Sequence, residues 1–152
     1  MYFCLHYSYK HGRISCMIRT IIIGLLFLFG CSAYPFTIAI PAKAIIGEVT
    51  ELYEGKTVGH TSGRIILVGV STGTQCLGNY KYTFVSPNGI GSNGVANIQC
   101  NDGRTTRLFF LTETAEIGHG FGKDSKGAPA VFTFGKSDFE TVEIYKRYIQ
   151  ND

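Results

Sequence analysis

Between residues 46 and 135 the chain carries no apolar helical repeat of useful length. Short runs of β-branched and aromatic residues are instead cut by turn signals about every 10 residues, the signature of an antiparallel sheet of short strands. Arg64-Ile65-Ile66-Leu67-Val68-Gly69 reads as a buried strand. Tyr80, Tyr82 and Phe84 alternate with Lys81, Thr83 and Val85, which places three aromatics on one face. Gly94 to Cys100 puts Ala96, Ile98 and Cys100 on one side. Leu108-Phe109-Phe110-Leu111 and Val131-Phe132-Thr133-Phe134 read as further strands. Turns are expected at Tyr53-Glu54-Gly55-Lys56, Ser71-Thr72-Gly73-Thr74, Ser86-Pro87-Asn88-Gly89, Asn101-Asp102-Gly103 and Asp124-Ser125-Lys126-Gly127. Nineteen glycines suit such a fold, since glycine supplies turns, bulges and tight bends. The expected fold is all-β: an antiparallel meander forming a small sandwich or an open barrel.

The carboxyl end carries two patterns. Ser137-Asp138-Phe139-Glu140 is a capping box, after which Phe139, Val142, Tyr145 and Ile149 would share a helix face. Thr141, Val142, Ile144 and Tyr145 favour a strand, and alternation fits nearly as well. A short C-terminal helix has the slight edge.

The amino end reads as an address. From Met17, a short basic region is followed by the apolar run Ile21 to Phe29 and by the small residues Gly30-Cys31-Ser32-Ala33. The run is about half the roughly 20 residues a membrane span needs. Leu28-Phe29-Gly30-Cys31 resembles the lipobox of bacterial lipoproteins, which implies lipid on the Cys31 thiol and cleavage after Gly30. Residues 1–16 have the look of an over-extended gene start. The expected organisation is a leader over residues 1–30, a tether over residues 31–45 and a β domain over residues 46–152. Phe36, Ile38 and Ile40 also alternate, as an edge strand would. From Cys31 onward eleven basic residues balance eleven acidic ones, so the body lacks the basic footprint of a nucleic-acid binder.

With Cys4, Cys16 and Cys31 assigned to the leader and lipid, Cys76 and Cys100 remain. An even pair in an exported domain reads as a disulfide. Gln75-Cys76 and Gln99-Cys100 stand in similar positions before two strands, so the cystine is expected to join equivalent points of two hairpins.

Cys76-Leu77-Gly78-Asn79-Tyr80, Ile98-Gln99-Cys100-Asn101-Asp102-Gly103-Arg104 and Val131-Phe132-Thr133-Phe134-Gly135 resemble a group of small uncharacterised exported proteobacterial lipoproteins. Leu77 and Asn101 stand where that group has Ser. The resemblance implies an all-β exported domain and carries no activity.

Three functions follow as expectations. The first is an envelope lipoprotein with a structural or protein-interaction role. It would be anchored in the bilayer through Cys31, with Ser32 resembling outer-membrane sorting, and would face the periplasm beside an envelope protein partner. The second is a small module binding a glycan or hydrophobic molecule on its aromatic face. Tyr80, Tyr82, Phe84, Asp102 and Arg104 are the candidate interaction residues. The third, a hydrolase using His119 with Asp102 or Asp124, needs a nucleophile and an orienting carboxylate that no motif supplies. His119 in Gly118-His119-Gly120-Phe121-Gly122 reads as an exposed loop residue. The expectation is a protein that is not an enzyme and uses neither metal nor cofactor.

Overall fold

A computed structural model describes residues 37–47 and 51–151. The leader, Cys31 and most of the expected tether lie outside them. Eight antiparallel strands follow one another in order: β1 (Ile38–Ile46), β2 (Leu52–Gly59), β3 (Ser62–Gly69), β4 (Gln75–Phe84), β5 (Asn93–Cys100), β6 (Thr105–Thr112), β7 (Gly118–Asp124) and β8 (Pro129–Phe134). A helix, α1 (Asp138–Asn151), ends the described chain.

The sheet is a closed barrel, neither a sandwich nor an open barrel. β1 pairs with β2 on one side and with β8 on the other, from Ala42 opposite Phe134 to Ile46 opposite Ala130. Closure removes the two rows of unpaired backbone groups that an open sheet would leave. β1 takes up residues 38–45 of the expected tether. The alternation of Ile38 and Ile40 prevails over Pro41, and the strand is an edge on neither side along residues 42–45.

Side-chain size sets how tightly the sheet curls. Following partners across neighbouring strands, Tyr82, Gly94, Phe110, Gly120, Phe132, Ala44, Tyr53 and Gly69 alternate large with small around the wall. Each ring lies over a residue that leaves it room, as the taper of a small barrel requires. The segment Tyr53-Glu54-Gly55-Lys56 is therefore strand rather than turn: Gly55 lies so close to β3 that a Cβ there would sit 1.9 Å from the Ile66 carbonyl oxygen. Gly118-His119-Gly120-Phe121-Gly122 is likewise strand β7, its glycines giving space to Phe134 and Phe110. Where the chain does turn, glycine supplies positive φ, as at Gly103 (φ 88°) and Gly127 (φ 86°).

The interior is apolar, with Ile65, Leu67, Leu108 and Tyr53 wholly buried. Cys76 and Cys100 face one another directly across the β4–β5 hairpin and are joined by a disulfide. The cystine thus staples one hairpin and does not link two. Closing its loop of about 25 residues is worth roughly 3 kcal/mol in chain entropy.

The capping box forms as read, and it decides for the helix. The Ser137 amide donates to Glu140 Oε2 (2.9 Å), and the Glu140 amide donates to Ser137 Oγ (3.3 Å). The helix packs outside the barrel, laying Tyr145, Val142, Ile144 and Tyr148 over Ile45, Val131, Leu52 and Phe121. Its buried line is Thr141–Tyr145, so two residues expected on that face, Phe139 (75% exposed) and Ile149 (46%), point to solvent instead.

Candidate functional site: the open mouth of the barrel

The two ends of the barrel differ. At one end the turns are short and a polar cluster closes the interior. Arg104 lies with its guanidinium 5.6 Å from the centre of the Tyr53 ring. It donates to the Ile46 carbonyl (2.7 Å), to the Tyr53 hydroxyl and to Asp102, with Nε 2.8 Å from Asp102 Oδ2. The hydrogen bonds from Arg104 hold the Asp102 carboxyl below its ordinary range despite some desolvation. Those bonds also keep the guanidinium charged.

Glu51, 6% exposed, joins the same end. Burial pushes its carboxyl up. The hydroxyl and amide of Thr72 (2.8 and 2.6 Å), together with Tyr53 and the Ser71 amide, outweigh that and bring it below its ordinary range. Asp102 and Arg104 therefore form a structural plug at this end. Asp102-Gly103 makes the expected turn, and Arg104 spans 58 residues to reach Ile46.

The other end is open. The start of β1, the ends of β2, β4, β6 and β8, and the β2–β3, β4–β5 and β6–β7 loops surround a cavity of about 410 Å³, within the usual size range of ligand pockets. Its walls are Ile38, Ile40, Thr57, Tyr80, Tyr82, Phe110, Phe132 and Phe134. Four of the rings meet edge to face. Phe110 lies 5.0 Å from Tyr82, 6.3 Å from Tyr80 and 6.1 Å from Phe134, with interplanar angles of 81–87°. Burial raises both tyrosine hydroxyls above their ordinary pKa, so both are protonated donors at neutral pH. Tyr80 donates to the His60 carbonyl (3.4 Å). The Tyr82 hydroxyl has no partner among the described residues.

The rim is built, not loose. Ser92 Oγ accepts from the Ser86 amide (2.9 Å), and Thr112 Oγ1 donates to the Gly89 carbonyl, so the β4–β5 loop is tied to the end of β6. Gly89 also approaches Ala115 of the β6–β7 loop so closely that a Cβ would come within 2.9 Å.

The aromatic strand of β4 is thus divided. Tyr80 and Tyr82 face the cavity. Phe84 lies beyond a bulge between Tyr82 and Phe84 and is 54% exposed. Ile38, Ile40, Thr57 and Glu116 also line the mouth. Only the alternation of Ile38 and Ile40 signalled any of these in the sequence.

His119 stands on the outer wall of β7, away from the cavity lining. Its Nδ1 lies 2.7 Å from Glu113 Oε1, whose other oxygen accepts from Lys136 Nζ at 2.8 Å. Asp124 is five residues further along the same strand, about 16 Å at the rise of a strand. Asp102 belongs to the closed end. Neither can serve His119. Among the described residues no group of three or more His, Cys, Asp or Glu could hold a metal ion.

No family model matches the chain, and no curated protein matches it. Among solved structures it is similar to a de novo designed fluorescence-activating β-barrel, at 17% identity and a TM-score of 0.46, covering 68% of this chain and 94% of the designed one.

Proposed function

We propose that the protein is a binding module that takes a small hydrophobic molecule into the open mouth of its barrel. In this reading the domain is exported and held at a bacterial envelope membrane by lipid on Cys31, and it works by binding and not as an enzyme. The observation that carries the reading is the cavity: a preformed, aromatic-lined space of about 410 Å³, open at one end and plugged at the other. Eight strands give a barrel just wide enough for side chains to fill it or for one small ligand. Here the side chains fill the closed half and leave the open half vacant.

The polarity of the wall supports an aqueous carrier. Glu54, Lys56, Lys81 and Arg107 alternate with inward apolar residues and face outward, the reverse of a membrane barrel with its polar lumen.

The test is titration of the purified protein with the neutral dye N-phenyl-1-naphthylamine. A saturable 1:1 fluorescence rise is expected. Ile40→Trp, which fills the mouth, should weaken it at least about tenfold while leaving the unfolding temperature unchanged, because Ile40 is only partly buried. Equal binding by the variant, or no saturable binding, would overturn the reading.

A second reading, an envelope-protein partner, rests on the outer wall. Ile66 and Leu77 are direct neighbours across β3 and β4, and Leu77 is 62% exposed. Phe109 on β6 is 63% exposed, with Leu111 beside it. Crosslinking in the intact envelope from Leu77 and Phe109, with loss of the product on Leu77→Lys, would support this partner.

A further inference from the structure

The cavity's chemistry narrows what it can hold, given the binding role proposed above. We infer that the mouth selects an uncharged ligand carrying a carbonyl or ether oxygen, and that Tyr82 is the residue that recognises that oxygen.

Two observations lead there. The first is the charge of the lining. Among the described residues neither Lys nor Arg contributes to it. The acidic side chain among the described lining residues is Glu116, in the β6–β7 loop, and His60 lines the mouth from the β2–β3 loop. A carboxylate or phosphate drawn into the aromatic half would lose its water and gain no cation in return, and it would pass Glu116 on the way. Burying an ion without a partner is far costlier than burying a neutral polar group that is hydrogen-bonded. The site is therefore selective against anionic amphiphiles of the same length and shape.

The second is the accounting of hydroxyls. Thr57 donates to the Ile40 carbonyl (3.4 Å), Thr112 to Gly89, and Tyr80 to His60. Each of these is committed to the wall. Tyr82 and the exposed rim residue Thr61 are the lining residues whose hydroxyls have no partner among the described residues, and of the two Tyr82 belongs to the aromatic wall, with its ring held edge-on by Phe110. A positioned, protonated donor in an apolar wall is the recognition element for a ligand acceptor. A site built around such a donor discriminates against analogues that lack the acceptor. Because the hydroxyl makes no bond to the described residues, removing it is expected to alter recognition without breaking the barrel.

The experiment displaces N-phenyl-1-naphthylamine with dodecanoate and with methyl dodecanoate at pH 8, below their aggregation limits. The two share one body and differ in charge. Methyl dodecanoate should displace the dye at a concentration at least about tenfold lower than dodecanoate. Tyr82→Phe should weaken the ester, measured relative to the dye, about five- to tenfold, the worth of one hydrogen bond, while leaving the unfolding temperature unchanged. Equal displacement by acid and ester, or an ester affinity indifferent to Tyr82→Phe, overturns this inference and leaves the binding role standing. Failure of the dye itself to bind overturns the binding role, and this inference with it.

Discussion

The hydroxyl oxygens of Thr133 on β8 and Thr141 on α1 lie 2.7 Å apart, both with no exposure to solvent. Thr141 Oγ1 also donates to the Ser137 carbonyl at 2.9 Å. A hydroxyl has one proton, so Thr133 must donate to Thr141, and the two threonines form a directed relay from barrel to helix. The relay makes the two positions unequal. Thr141→Val removes both bonds and strands the buried Thr133 donor. Thr133→Val removes only one donor to an oxygen that stays bonded. Urea unfolding should show Thr141→Val costing about 2 kcal/mol and Thr133→Val about 1 kcal/mol or less. The reverse order would refute the direction of the relay.

Arg104 serves the closed end alone, so stability and binding should separate there. Arg104→Met removes its bonds to Ile46, Tyr53 and Asp102 and leaves the Tyr53 hydroxyl without its guanidinium. A loss of about 3 kcal/mol in chemical denaturation is expected, since bonds to a charged group are each worth roughly 1.5–3 kcal/mol. Dye affinity at the open end should stay within about twofold at temperatures where the variant is folded. A large loss of affinity would mean that the two ends are coupled.

Acid should weaken the closed end. Glu51 and Asp102 both have carboxyls held below their ordinary range in the folded protein. Each therefore contributes stability that is complete above the unfolded values near pH 4 and is lost as pH falls through the lower folded ones. The urea midpoint should be level from pH 7 to about 5 and drop steeply below about 4. Glu51→Gln should be less stable at pH 7 and show a shallower drop. An unchanged slope would remove Glu51 from the cause.

Gly94 tests the packing of large against small around the wall. An added methyl would sit 2.3 Å from the Lys81 carbonyl oxygen and 2.5 Å from Phe110 Cζ. Gly94→Ala should therefore destabilise by about 1–3 kcal/mol, as overpacking does. It should also shift the near-ultraviolet dichroism of the tyrosine–phenylalanine cluster, because Phe110 must move. A neutral effect in both measurements would mean that the wall has slack which the structure does not show.

The meander was legible because its turns are written locally. Ser71–Thr74, Ser86–Gly89 and Asn101–Gly103 fall between strands, Asp124–Gly127 starts on the last residue of β7, and each ends on or contains a glycine of positive φ. The same residue type misled at Gly55 and in Gly118–Gly122. There glycine lies in a strand and serves close packing, and a single sequence does not tell the two uses apart. Closure was not legible, because the pairing of β1 with β8 has no local signal and depends on the summed coiling of all eight strands. The site was half legible. Tyr80 and Tyr82 were found by alternation. Whether their rings fill the interior or border a cavity depends on rim loops whose ties, such as Thr112 to Gly89, cross 23 residues.

The joining of the first strand to the last also governs how the protein is made. Ala42 meets Phe134 across some ninety residues of chain, a loop closure that comes late and slowly compared with the seven hairpins between them. Until β8 emerges, β1 has only β2 for a neighbour, and its other edge can recruit a strand from another chain. A chain truncated before residue 129 would carry that open edge permanently. The stretch from residue 129 onward thus acts as a safeguard against aggregation during synthesis, and lesions there should lower yield more than they lower the stability of the protein that does fold.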